Sequence, residues 1–294
     1  MRASSRSKRP SPLPTTNEPE HEGHEHHGHG HLFGSTDSAD SAGQPWAGRS
    51  FDENPWAGDD GTTPAMYANA IASLRELPLD ALAERAHAQQ AVVDAIRESR
   101  FLIPLLAEAG DVGFTDEGLK VDKTQELAIV SVAGPSGQRV LPVFSSAAAM
   151  TAWNPDARPV PAEGRRVALA AAADEAQWIV IDAGSETEFV VRRPAVEAIA
   201  KGELWVPSPI DPSIDAAMIN SIAGEFRIRD IALLVGDPDA RGLTEELVVQ
   251  VSLAPNLTQQ QLDEVVNSLM RRWSENPALG EKIDSLKIQL IAGS

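Results

Sequence analysis

Histidine is the residue whose placement most restricts the chemistry open to this chain. Six of the seven histidines fall within residues 21–31, and the chain has no cysteine. Interleaved with glycine and glutamate, they offer the flexible imidazole and carboxylate ligands that suit zinc, nickel or copper. They are His21, His24, His26, His27, His29 and His31. The tract predicts weak zinc or nickel binding, which should fade below about pH 6 because the ligands must be neutral imidazoles.

The rest of the chain offers little to a nucleophilic enzyme. Its one imidazole is His87, and it has no thiol. His87 falls in a predicted amphipathic helix but off its apolar stripe, which runs through Leu82, Val93 and Ile96, so a solvated side chain is the simpler interpretation. We therefore predict no catalytic residue. The enzyme alternative that stays open works with carboxylates alone, centred on Asp182, which follows an apolar strand.

Composition narrows the classes of partner. The formal net charge is −18, and the acidic excess is spread over the whole chain. Nucleic acid is disfavoured because polyphosphates bind basic surfaces. No stretch approaches the roughly 20 apolar residues of a membrane span. The lack of cysteine fits a reducing compartment, and we expect a cytoplasmic protein.

Residues 1–65 read as a disordered head, rich in Ser, Pro, Gly, Glu and His and poor in aliphatic residues. The tetrapeptide Pro-Trp-Ala-Gly occurs in it twice, at 45–48 and 55–58. Trp46 and Trp56 are therefore candidate interaction residues. They either dock onto the protein's own folded body or insert into a partner, because tryptophan anchors dominate many interfaces.

Strands and helices alternate from residue 66 to residue 203, which predicts an α/β domain. Strands are predicted at 101–106, 126–132, 140–144, 177–182 and 188–191, and an alanine-rich helix at 164–173. Ser145 is predicted to cap a short helix over 146–153. Two hydroxyls at a helix start can also hold an anion, although capping is the simpler role. Ser145, Ser146 and Trp153 are the candidate interaction residues of this segment.

Several stretches of this domain resemble a known family. They are Arg100-Phe101-Leu102-Ile103-Pro104, then Leu141-Pro142-Val143-Phe144-Ser145-Ser146, then Met150 and Trp153. The segment is similar to the N-terminal domain of the SseB family, the enhanced-serine-sensitivity proteins, and residues 48–61 look like the leader of actinobacterial members. The resemblance spans roughly residues 48–203. It implies an α/β domain of the bacterial cytoplasm, linked genetically to serine tolerance, and it supplies no catalytic residue.

Residues 204–294 predict a second small domain with the order α-β-β-α-β. Asp211 and Pro212 open its first helix, and Thr258 with Gln261 forms a capping box for the second. The apolar stripe of that second helix comprises Leu262, Val265, Val266, Leu269, Met270 and Trp273. The strands are predicted at 226–235, 246–253 and 286–290.

The predicted C-terminal domain is an open sheet with helices on one side. Its exposed strand edge is suited to a second copy of the chain or to a partner strand. The fold expected for the whole chain is therefore mixed α and β, with two small sheet-plus-helix domains behind a disordered head. The function expected is a non-enzymatic protein-interaction or regulatory module. The alternatives are a metal buffer that binds its ion through the histidine tract, and a carboxylate-dependent enzyme.

Overall fold

The computed structural model describes residues 56, 58–107, 112–114, 120–122, 127–135 and 137–293. These residues fall within one compact unit. The fold is mixed α and β, as predicted. The histidine tract, Trp46 and the predicted disordered head as far as residue 55 lie outside the described residues.

Eight α-helices and one short 3-10 helix, Ser208–Ile210, occur in the described part of the chain. The α-helices are α1 (Ala65–Glu76), α2 (Leu82–Glu98), α3 (Ala147–Trp153), α4 (Gly164–Ala173), α5 (Arg193–Lys201), α6 (Pro212–Ser221), α7 (Gln259–Ser274) and α8 (Pro277–Lys282). The strands are β1 (Arg100–Ala107), β2 (Val112–Phe114), β3 (Lys120–Asp122), β4 (Leu127–Ile129), β5 (Val132–Ala133), β6 (Arg139–Val143), β7 (Arg158–Glu163), β8 (Trp178–Ile181), β9 (Phe189–Val191), β10 (Ile228–Val235), β11 (Leu247–Leu253) and β12 (Leu286–Ala292).

Two sheets build the N-terminal half. One has the order β5-β6-β8-β9, in which β6 and β8 are parallel and the outer pairs antiparallel. The other has the antiparallel order β4-β1-β7, and a bridge between Leu102 and Phe144 connects the two. Strands β2 and β3 form a separate hairpin. Helices α1, α2, α4 and α5 supply the rest of a core in which Tyr67, Leu141 and Ile179 are fully buried.

A three-stranded sheet, β10-β11-β12, builds the C-terminal half. Strands β10 and β11 are antiparallel, and β12 lies parallel to β11. Alternate residues of β11 are buried, which is the period-two burial of a sheet covered on one face. They pack with Ile214 and Met218 of α6 and with Leu269 and Trp273 of α7 in a second core.

Some elements differ from the prediction. Ser145 was the predicted cap of α3, but the N-cap is Ser146, whose hydroxyl accepts a hydrogen bond from the Ala149 amide. Helices α1 and α8 and strand β7 were not predicted. Met270 was placed in the buried stripe of α7 and is instead 47% exposed. The buried face of α7 is therefore narrower than the spacing of its apolar residues indicates.

Candidate functional site

Loop 236–242, the first part of the connection between β10 and β11, crosses to the N-terminal half of the molecule. The carboxylate of Asp237 is buried and accepts hydrogen bonds at 2.7 Å from the Gly242 amide and from the Arg192 guanidinium. Gly242 has a φ of +69°, and a Cβ there would come within 2.9 Å of the Trp178 ring. Only glycine fits both the left-handed backbone and the close approach. The loop is therefore shaped to lie against Trp178.

Arg192, at the end of β9, is the polar centre of this junction. Its guanidinium donates to Asp237, to the Thr244 carbonyl at 2.6 Å and to Asp284 at 3.2 Å. It also lies 4.9 Å from the centroid of the Trp178 ring, a cation-π distance. The side chain is 7% exposed. Two carboxylates and an aromatic face thus compensate one buried cation.

A third carboxylate lies deep in the same junction. Glu246 is buried, and its carboxylate accepts hydrogen bonds from the Ser208 hydroxyl and from the Asp284 amide. Burial raises the pKa of Glu246 above its usual range, and these two hydrogen bonds offset part of that effect. Glu246 therefore ties the 3-10 helix to the segment that precedes β12.

Residues 237–239 of the loop are also held by helices α1 and α2. Arg85, only 1% exposed, donates to the Pro238 carbonyl at 2.9 Å and to the Asp239 carboxylate. Arg75 donates to the Asp239 carbonyl at 2.6 Å, and Gln89 to the Asp237 carbonyl at 2.9 Å. Residues 237–239 of the loop are thus hydrogen-bonded to three separate elements of the N-terminal half, and the loop forms an extended junction with it.

An open cleft of about 560 Å³ lies over this junction. We call it the junction cleft. Trp178, Arg192 and Asp284 line its floor and are largely buried. The exposed side chains of Leu243, Glu245 and Gln177 form its rim, and Leu243 is 78% exposed.

The chemistry of the junction cleft follows from this division. The floor groups donate to and accept from one another, since the indole of Trp178 also donates to Asp284 at 3.1 Å. The rim offers a ligand an apolar side chain, a carboxylate and an amide. Among the described residues, no group of three or more His, Asp or Glu side chains could hold a metal ion. The charged groups of the floor are thus engaged with one another, and the rim groups are the ones exposed to solvent.

The sequence-predicted serines have separate roles in the structure. Ser145 is 1% exposed, and its amide and hydroxyl donate to the two carboxylate oxygens of Asp182, at 2.7 and 2.6 Å. Thr187 donates to the same carboxylate at 2.8 Å. Asp182 is equally buried and has a φ of +50°, a conformation that Asp tolerates better than most residues. Ser145 and Asp182 thus form a buried structural contact, whereas Ser146 caps α3.

The two described tryptophans of the predicted site occupy separate places in the fold. Trp153 is half-buried, with its ring centroid 5.2 Å from that of Phe144. Trp56 is also half-buried and lines a second open cleft, of about 660 Å³, beside Asp59 and Arg100. The guanidinium of Arg100 donates hydrogen bonds to the Asp59 carboxylate and to the Ser145 carbonyl, the latter at 2.8 Å. Residues 58–64, which the composition assigns to the head, are thereby held against the folded body.

The residues of the junction cleft were missed by the sequence reasoning. Arg192 directly follows the apolar run of β9, and an arginine that is buried at such a position needs a partner of opposite charge. The acidic loop between Gly236 and Gly242 is the other signal. Neither observation names the partner, because Arg192 and Asp237 are far apart in the chain.

Comparisons with known proteins match one part of the chain. The family model described as the SseB protein N-terminal domain matches residues 76–211. The match contains Gln177, Trp178 and Arg192 and ends before α6, so Leu243, Glu245 and Asp284 of the junction cleft lie outside it. No curated protein and no solved structure matches the chain significantly. Within the described residues, no helix combines the length and apolar character needed to cross a bilayer.

Proposed function

We propose that the chain, whose residues 76–211 match the SseB protein N-terminal domain, is a non-enzymatic protein-binding module located in the cytoplasm. Its binding surface is the junction cleft. The observation that carries this proposal is the contrast between a floor whose buried charges are engaged with each other and a rim that keeps an almost fully exposed leucine. Binding sites are typically concave and combine apolar side chains with a few polar groups, as this rim does.

The chemistry of the rim selects the partner. Glu245 adds a carboxylate beside Leu243, and Gln177 offers both an amide donor and an acceptor for peptide backbone groups. The whole chain carries a net charge of −18. Charge complementarity favours a basic partner and speeds its encounter with the surface. The partner we propose is a protein segment with a Lys or Arg next to an aliphatic residue.

Display of random peptides against the full chain tests this proposal. We expect selected peptides to be enriched in Lys or Arg beside an aliphatic residue, and their binding to weaken as salt is raised. Leu243→Asp and Glu245→Lys should each abolish binding. Leu169→Asp is the matched control, because Leu169 is 50% exposed on α4 and away from the cleft. Selected peptides that bind all three variants as well as the wild type would disprove the cleft as the site.

A further inference from the structure

Strand β12 is an unprotected sheet edge. In a parallel pair, alternate residues of a strand direct both backbone groups to the same side. The Ser285 carbonyl accepts from Leu247 and the Gly293 amide donates to Leu253, so the odd-numbered residues face β11. The even-numbered residues, from Leu286 to Ala292, therefore present their N–H and C=O groups outward. Among the described residues, no strand pairs with that side.

The other sheet edges are protected in ways that β12 is not. Strand β7 contains Pro159 and Pro161, and β10 has a register shift beside its charged residues Arg229 and Asp230. Prolines, bulges and charges all discourage edge-to-edge pairing. Strands β4, β5 and β9 have only two or three residues each. Strand β12 has seven residues, no proline, no register shift and one charge, Lys287.

From this contrast we infer that β12 pairs with β12 of a second copy, antiparallel and about a two-fold axis at Gln289. This register is the one that overlaps all seven residues. It places Ile288 opposite Leu290 of the partner subunit, and Leu286 opposite Ala292 of the partner subunit. Every outward-facing backbone group of the strand then has a partner. A two-fold axis gives a six-stranded sheet across two chains.

The side chains of β12 suit this register. Leu290 lies on the helix-covered face and Ile291 on the opposite face, and they remain 39% and 36% exposed. A second strand would cover both. Lys287 would lie opposite Ile291 of the partner subunit, so the two ammonium groups would not meet. The two Gln289 side chains would meet at the axis, where each amide can donate to and accept from the other.

Electrostatics and topology limit the assembly to two chains. Each chain carries −18, so long-range repulsion opposes association at low salt. Screening shortens this repulsion to about 8 Å at physiological ionic strength, and β12 itself adds no acidic side chain. Once the two β12 edges have paired, the remaining outer edges of the joined sheet are the protected β10 strands. The product is a closed dimer that tightens as salt rises.

Mass measurements on the full chain test the dimer. By light scattering or sedimentation equilibrium, we expect twice the mass of one chain at high protein concentration, with association strengthened by salt. Leu290→Pro should give monomers. Because the amide of Leu290 faces outward, the substitution removes none of the backbone hydrogen bonds between β12 and β11. Leu290→Lys, which does not alter the backbone, should also give monomers. Lys287→Gln should remain dimeric.

Cysteine cross-linking tests the register, since the chain has no cysteine of its own. In Gln289→Cys the two Cα atoms would lie about 4.5 Å apart, within reach of a disulfide, so oxidation should link the subunits. In Lys287→Cys they would lie roughly 14 Å apart and should not link. A monomer at every concentration, or a dimer that survives Leu290→Lys and does not link through position 289, would overturn the inference. Peptide binding in the junction cleft does not depend on β12, so failure of one proposal leaves the other to be judged separately.

Discussion

Arg192 donates to Asp237 at 2.7 Å from a position 4.9 Å over the ring of Trp178. Arg192 lies in the part of the chain that matches the SseB N-terminal domain, whereas Asp237 lies beyond it. Both side chains are buried. The pair therefore joins two regions of the chain at a place where both charges are largely removed from solvent, and it makes the junction sensitive to the loss of one partner.

Substitution of Arg192 by methionine should strongly destabilise the protein. The change leaves Asp237 and Asp284 buried without their cation, and loss of one member of a buried ion pair costs roughly 3–5 kcal/mol. We expect a fall of that order in the free energy of unfolding, measured by denaturant titration.

Arg139→Met is the matched control for Arg192→Met. Arg139 is 51% exposed, and its nearest carboxylate, Asp174, is 3.5 Å away. Exposed ion pairs contribute less than about 1 kcal/mol. Equal losses of stability in the two variants would contradict the central role of Arg192 in the junction.

Glu246 should give the protein a specific dependence of stability on pH. Because burial raises its pKa, the folded state holds the proton over a pH range in which the unfolded chain has released it. The contribution of Glu246 to stability therefore falls as pH rises from the ordinary glutamate pKa to the raised one, and is constant above that window. The slope for one group is at most about 1.4 kcal/mol per pH unit.

Glu246→Gln removes this titration and gives the measurement. The free energy of unfolding of the wild type, minus that of the variant, should decrease as pH rises from about pH 4 through the window. Gln keeps the shape of the side chain but accepts one hydrogen bond fewer. The free energy of unfolding of the variant is therefore also offset from that of the wild type by an amount that does not depend on pH. A difference that is independent of pH would show that Glu246 does not titrate differently in the folded and unfolded states.

Most of the secondary structure could be predicted, because its signals are local. The capping box of Thr258 and Gln261 is present, and α4 covers the predicted residues 164–173. Helix α1 was missed since it begins after Pro64 without a side-chain cap. Strand β7 was missed because its prolines are typical of loops. It tolerates them as an edge strand that pairs on one side only.

The site was much harder to predict than the elements that carry it. The role of Arg192 depends on Asp237 and Asp284, which approach it only after the two halves have packed. No local spacing encodes that contact. Ser145 shows the same limit, since a serine before a short helix predicts a cap. Asp182, which lies one strand away, draws it into a buried hydrogen bond instead.

The two serines should respond differently to alanine. Ser145→Ala removes a hydroxyl that donates to the buried Asp182, and leaving such a group underbonded costs roughly 1–3 kcal/mol. Ser146→Ala removes an N-cap, which costs about 1 kcal/mol. Thermal and denaturant unfolding of both variants gives the comparison. If Ser145→Ala were as stable as the wild type, the structural role of Ser145 would be wrong.

The histidine tract makes its own prediction, which concerns zinc. Six imidazoles within residues 21–31 should bind zinc in the full chain at neutral pH and release it below about pH 6, as protons compete for the ring nitrogens. Replacement of all six by glutamine should abolish the binding seen by calorimetry. His87→Gln should leave it unchanged, because His87 lies exposed on α2.

These substitutions test zinc binding more cleanly than truncation does. A chain that starts at Leu74 would also lack most of α1, whose Tyr67 and Ile71 are buried in the core. A loss of zinc binding in that chain could then reflect unfolding rather than missing ligands. In the substituted full chain the core is intact, so its unfolding curve without zinc should match the wild type. Zinc binding of equal affinity in the wild type and the six-glutamine variant would rule out the tract as the ligand set and, with it, the metal-buffer alternative.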